Sequence, residues 1–247
     1  MFKIGTHAKA DSNILSEAKR SLKFKASGLA VELCDYFADD WHVANAIEDR
    51  EINVAILHTE TAVRDIGCFS EHPIVGFFDA SHLSWSVIST SNSGLDQCFG
   101  STFASFGPSS AVEINTTLLH KRSNQSFQNI RFENIRNIDE LIDSLSENKI
   151  ASAVLDRERT EIVRKTLPIH ESQKFQNQWP GKAIWVRNEL VENQAELKKL
   201  LAILESIANN NSPVAPDELE TLMKLIDQSE LADLTNFTVT DVWRQLN

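Results

Sequence analysis

The chain has 247 residues, 35 acidic side chains against 24 basic ones, and a formal net charge of -11. That length supports a full core without a disulfide or metal staple, as one large domain or as two lobes of roughly 100–150 residues. An acidic chain without a Lys/Arg block argues against broad nucleic-acid or anionic-membrane binding, and no run nears the ~20 apolar residues that span a bilayer.

Phe2 to Thr6 reads as a buried strand directly after Met1. No basic region, apolar segment and small-residue cleavage site precede it, so a cytoplasmic protein is expected, or a periplasmic one whose leader was trimmed. Asp11 or Ser12 caps a predicted helix with Ile14, Leu15, Ala18 and Leu22 on its apolar face, ended by Gly28. Leu29 to Leu33 is the next strand. Asp39 or Asp40 caps a helix carrying Val43, Ala46 and Ile47. Ile52 to Leu57 follows, a nearly continuous apolar run of the kind found in parallel sheets.

His72 to Gly94 holds two strand-like runs, Pro73 to Phe78 and Leu83 to Ile88, joined by an Asp79-Ala80-Ser81 turn signal. Thr102 to Phe106 then opens a second series. Gly107-Pro108-Ser109-Ser110 is a turn into a helix with Ile114, Leu118 and Leu119. Phe127 to Ile135 contains a strand, Asn137 starts another helix, and Ala151 to Leu155 is the returning strand. A polar stretch, Glu171 to Gly181, precedes the strand Lys182 to Arg187. Asn188 or Asn193 leads into a helix with Leu197, Leu200, Leu201, Leu204 and Ile207 inward. Two short helices, near 217–228 and 239–245, close the chain.

Ala46 to Leu57 aligns with Ser144 to Leu155, each a helix end, a polar turn and a buried strand. The period of about a hundred residues is too long for a solenoid, whose units run roughly 20–50 residues. It predicts two similar α/β lobes with right-handed crossovers.

The order of elements resembles the type II periplasmic-binding-protein fold, and within it the NMT1/THI5-like group of sulfonate and taurine receptors. The resemblance is carried by Phe2 to Thr6, by Ala46 to Leu57, by Gly107 to Ser110 and by Lys182 to Leu190. It covers about residues 2 to 207. The usual Gly-Asp of the first returning turn is replaced by Arg50-Glu51-Ile52-Asn53. The histidine- and cysteine-rich motif of the pyrimidine-synthesising members is missing. The resemblance implies two lobes, each a mostly parallel sheet flanked by helices. Residues 1–90 with 182–247 form lobe one, residues 91–181 form lobe two, and hinges lie near 88–100 and 172–183. It also implies a transporter or regulatory partner.

Ligands of open parallel sheets bind beyond the carboxyl ends of the strands. That selects Thr6-His7-Ala8, His58-Thr59-Glu60-Thr61, Gly107 to Ser110 and Asp156-Arg157-Glu158-Arg159. Ser109 and Ser110 open a helix, where free N–H groups favour a carboxylate, sulfonate or phosphate, or simply an N-cap. Arg157 pairs an anion, or is a surface arginine neutralised by Asp156 or Glu158. The expected ligand set is Thr6, His7, Thr59, Glu60, Ser109, Ser110, Asp156 and Arg157. The function expected is closure of two lobes on an anionic or zwitterionic small molecule. The alternative is an enzyme on the same fold acting on a small carboxylate or phosphate, with His58, Glu60 and His7 as its acid/base set. The seven histidines form no i, i+4 or HxH pair, so no metal or cofactor is expected. Trp179-Pro180-Gly181 is the candidate ligand-stacking aromatic, and Cys34, Cys68 and Cys98 read as free thiols.

Overall fold

The computed structural model describes residues 1–35, 39–68, 72–91, 94–108, 110–126 and 130–208. In chain order the elements are β1 (Phe2–Thr6), α1 (Lys9–Arg20), α2 (Lys23–Ala26), β2 (Val31–Asp35), α3 (Asp40–Glu48), β3 (Val54–His58), α4 (Thr59–Cys68), β4 (Ile74–Ser89) and α5 (Leu95–Cys98). They continue with β5 (Thr102–Ser105), α6 (Ala111–Arg122), β6 (Arg131–Asn134), α7 (Ile138–Ser146), β7 (Ser152–Asp156), α8 (Arg157–Thr166), β8 (His170–Val186), α9 (Asn188–Val191) and α10 (Gln194–Ile207). This is the expected mixed α/β class. The helices anticipated after residue 208, Ser109 and part of the Phe127 to Ile135 segment lie outside the described residues.

The chain divides into two compact units, Met1–Ser81 with the chain from Gln178 onward, and His82–Asn177. The breaks fall inside β4 and β8. In the first unit β1 lies between β2 and β3 and pairs in parallel with both. β3 pairs antiparallel with the end of β8, so that Val54 faces Val186 and His58 faces Lys182. Every residue of β3 is buried, as a strand covered on both faces requires. The core joins Phe2, Ile4 and Ile56 of the sheet to Leu15 of α1 and Leu200 and Leu204 of α10.

In the second unit β5 pairs in parallel with β6 and β7, and β7 pairs antiparallel with β4. Its core centres on Trp85, Phe103, Leu145 and Leu155, all 0% exposed.

The duplication read from sequence is carried by backbone bonds. α3, β3 and α4 map onto α7, β7 and α8 at a constant offset. Asp39 caps α3 through His42 N–H at 3.0 Å, and Asn137 caps α7 through Glu140 N–H at 2.9 Å. Each helix then ends in the same left-handed cap. Arg50 (φ 65°) and Asn148 (φ 55°) take the αL position. The next residue's N–H reaches back to Ala46 in one copy and to Ser144 in the other, both at 2.9 Å. Ile52 and Ile150 behind the caps are buried, which anchors both turns to their cores.

Several local expectations change. The two runs flanking Asp79-Ala80-Ser81 form one strand, β4. The turn signal is used up locally, because Asp79 Oδ1 accepts from Ser81 N–H (2.9 Å) and Ser81 Oγ (2.5 Å) within extended chain. Glu171 to Gly181 is strand as well. Its polar side chains find partners there: Gln176 Nε2 donates to the His82 carbonyl at 2.9 Å and Asn177 Nδ2 to Asn115 Oδ1 at 3.0 Å. α1 stops at Arg20 rather than Gly28, because Leu22 takes a left-handed φ of 60°. The segments after His58 and Asp156, read as loops, enter helices at once.

Candidate functional site

Three parallel strands of the first unit end side by side, and the residues just past them converge. His7 follows β1, Asp40 opens α3 after β2, and His58 ends β3. Asp39 takes the capping role, which leaves the Asp40 carboxylate to the two histidines. Its Oδ1 lies 2.6 Å from His7 Nδ1 and its Oδ2 accepts from His58 Nδ1 at 2.6 Å. Thr61 Oγ1 donates to Oδ2 at 3.3 Å and the His58 N–H to Oδ1 at 3.4 Å. The imidazole centroids are 4.4 Å apart. His7, Asp40 and His58 are 6%, 1% and 2% exposed. Burial alone pushes the Asp40 carboxyl up. The charges and hydrogen bonds of His58 and His7 outweigh it and hold the carboxyl well below the usual carboxylate range. Asp39 moves the opposite way: burial raises it against the opposing pull of His42.

A second buried pair adjoins the first. Cross-strand partners of an antiparallel ladder share a face, so Lys182 stands beside His58. Lys182 Nζ donates to Asp11 Oδ2 at 2.6 Å, and Thr6 Oγ1 donates to the same oxygen at 3.5 Å. Thr59 and Glu60, on the first turn of α4, are fully buried. The result is a contiguous, water-poor set of ionisable groups of both signs at the carboxyl edge of the sheet.

In the second unit Ser110 caps α6 by accepting from Glu113 N–H at 3.4 Å. Asp156 caps α8 through Arg159 N–H (2.8 Å) and pairs with the Arg159 guanidinium at 2.7 Å. That guanidinium lies 5.0 Å from the Phe106 ring centroid. Arg157 is exposed on α8.

Of the residues singled out from sequence, Thr6, His7, His58, Thr59 and Glu60 therefore sit together in the first unit. Ser110 and Asp156 sit in the second as helix caps. Asp40, Asp11 and Lys182 were missed as site residues, and Arg159 lay in a selected loop but outside the expected ligand set. Asp40 carried one faint signal, an acid next to a better cap. Lys182 carried another, a lysine opening an otherwise apolar strand. Trp179 is 1% exposed, and its indole Nε1 has no hydrogen-bond partner among the described residues. Cys34 is half-buried, and Cys98 is a buried free thiol.

No family model matches the sequence, and no curated protein matches it. Solved structures do. A Candida albicans gene product that defines a family with the generic periplasmic-binding-protein structural fold is 13% identical. It covers 99% of this chain and 79% of its own, with a TM-score of 0.75. The chain has the periplasmic-binding-protein fold. Two further structures with this fold align at a TM-score of 0.70. One is the zinc-bound ligand-binding component of an ABC-type import system from Staphylococcus aureus, 13% identical over 93% of this chain and 92% of that one. The other is the alkanesulfonate-binding protein SsuA from Xanthomonas axonopodis pv. citri bound to MOPS, 11% identical over 99% and 82%. In the periplasmic-binding-protein fold of this chain, the repeated helix–turn–strand–helix unit sets His58 and Asp156 at equivalent strand ends. No helix among the described residues is long and apolar enough to cross a membrane.

Proposed function

We propose that this chain is a small-molecule-binding protein whose ligand is anionic or zwitterionic and is held at the carboxyl edge of β2, β1 and β3. One observation carries the reading: His7, Asp40, His58, Asp11 and Lys182 are gathered, nearly dry, just past three adjacent strand ends. Burying that many ionisable groups costs stability, and a hydrophobic set would fold at least as well. The carboxyl edge is where open parallel sheets take ligands. The ammonium of Lys182 and the imidazoles suit a carboxylate, sulfonate or phosphate, and the neighbouring carboxylates suit an amine on the same molecule. The names of the Staphylococcus aureus and Xanthomonas proteins, an import-system binding component and a sulfonate binder, support the same reading.

Closure of two lobes on the ligand belongs to the proposal, and a ligand-dependent fall in radius of gyration is its readout. Native mass spectrometry of the purified chain should detect a co-purifying small molecule. A thermal-shift screen over carboxylates, sulfonates, phosphates and amino acids should raise the midpoint for one class. No response from any class removes the proposal.

A second reading is favoured by the Asp40 geometry. A carboxylate that orients two imidazoles is also an arrangement for general acid/base chemistry on a small carboxylate or phosphate. Turnover abolished by His58→Ala, rather than binding alone, selects it.

A further inference from the structure

We propose that His7, Asp40 and His58 bind one divalent transition-metal ion of the zinc class. As part of a ligand site the ion deepens, and rests on, the binding reading above. One donor atom from each residue lies within 4.8 Å of the other two. The donors follow or end three strands held side by side by the β2-β1-β3 pairing. All three side chains are more than nine-tenths buried. Two imidazoles and one carboxylate form a donor set used for zinc and for non-haem iron, and it leaves coordination positions open to a second ligand. Sequence spacing did not join them, because positions 7, 40 and 58 lie on three different junctions.

The present spacing is closer than that of donors sharing one ion. Oδ1 and Oδ2 of Asp40 stand 2.6 Å from the two Nδ1 atoms. Ligands on one tetrahedral zinc with bonds of about 2.0–2.1 Å stand roughly 3.3 Å apart. The two contacts use different oxygens of one carboxylate, so an ion enters as the three side chains turn one donor each toward a common centre. Any proton on a donor atom leaves to solvent as its lone pair turns to the metal. Thr61 Oγ1 on Oδ2 and the His58 N–H on Oδ1 orient the carboxylate in the manner of outer partners of metal ligands. One carboxylate against a doubly charged ion leaves a net positive site, which an anionic group of the bound molecule can complete.

The test uses the full chain after chelator treatment. Co²⁺ alone is the spectroscopic probe and Zn²⁺ alone the thermal one. The expected result is one Co²⁺ per chain with visible d–d absorption, and a melting midpoint raised by Zn²⁺ and returned by chelator. His7→Gln and His58→Gln should each weaken Co²⁺ more than about 100-fold, whereas Thr61→Val should weaken it by about 10–100-fold. Absence of d–d absorption and of a Zn²⁺ shift in the folded wild-type chain overturns the proposal, and so does stoichiometric binding that survives both histidine changes. If a histidine variant does not fold, the wild-type titration decides alone. A metal-free chain that binds carboxylates or sulfonates but no metal refutes this inference and leaves the binding reading standing. Metal binding without response to any anion does the reverse.

Discussion

Substituting Lys182 and Asp11 singly and together separates a folding role from a binding role. The ammonium and carboxylate are 2.6 Å apart with side chains only 11% and 7% exposed. Removing one partner strands the other charge in a nearly dry site, which costs about 3–5 kcal/mol. In a chain of this size each kcal/mol moves the melting midpoint by roughly 2–4 °C. Lys182→Met should therefore lower it by about 6–20 °C. Asp11→Leu should do the same and also release the Thr6 hydroxyl from Asp11. In Asp11→Leu/Lys182→Met no charge is stranded, so stability should return to within about 2 kcal/mol of wild type or exceed it. Urea denaturation followed by tryptophan fluorescence gives the three free energies. The refolded double variant should fail to bind the anionic ligand, because the cation is gone. If the two single costs simply add in the double variant, with coupling below about 0.5 kcal/mol, the pair is not acting as a pair and the reasoning fails.

Arg50→Gly should stabilise the protein by about 0.5–1 kcal/mol. A residue with a side chain loses roughly 1–2 kcal/mol in the left-handed region, and the greater freedom of glycine in the unfolded chain takes part of that back. The Arg50 contact to Glu189, at 3.9 Å between exposed side chains, is too weak to reverse the sign. A urea midpoint that falls, with an unchanged slope, would count against the cap geometry. His120 should make the fold acid-sensitive. It is buried against Phe99 and Phe103, and burial pushes its imidazole below the ordinary value despite the opposing hydrogen bond to the Thr116 carbonyl. As pH falls the unfolded chain takes the proton first. This contribution to stability is therefore full above the unfolded-state value near 6.5 and is lost as pH falls through it toward the lower folded value. His120→Leu should lose less stability than wild type between pH 7.5 and 5.5 in paired denaturation series, and an equal loss would sink the assignment.

Legibility followed the range of the interactions. The helix–turn–strand repeat was readable because its cause is local. Capping side chains three residues from their N–H partners, and a six-residue backbone turn, leave the same mark at Ala46 to Leu57 and Ser144 to Leu155. The strand end at His58 was readable for a related reason: the buried apolar run Val54 to Leu57 stops at a polar residue and so marks its own end. The entry of β3 and β7 directly into helices was not, because His58-Thr59-Glu60 and Asp156-Arg157-Glu158 look like solvated loops until their later turns find a core.

By itself the sequence determined the α/β class, the duplication and the strand ends that present ionisable groups. Only the tertiary structure decided that Asp40 stands between His7 and His58, and that Lys182 meets Asp11 across 171 positions of chain. The physical reason is that strand order is not written locally. β1 sits between β2 and β3, and β8 returns antiparallel beside β3, because that arrangement buries their apolar faces together. The acids and bases at the strand ends are carried into contact as a consequence. The net charge of -11 gave no sign of that cluster, since a bulk count does not record where opposite charges are buried in pairs.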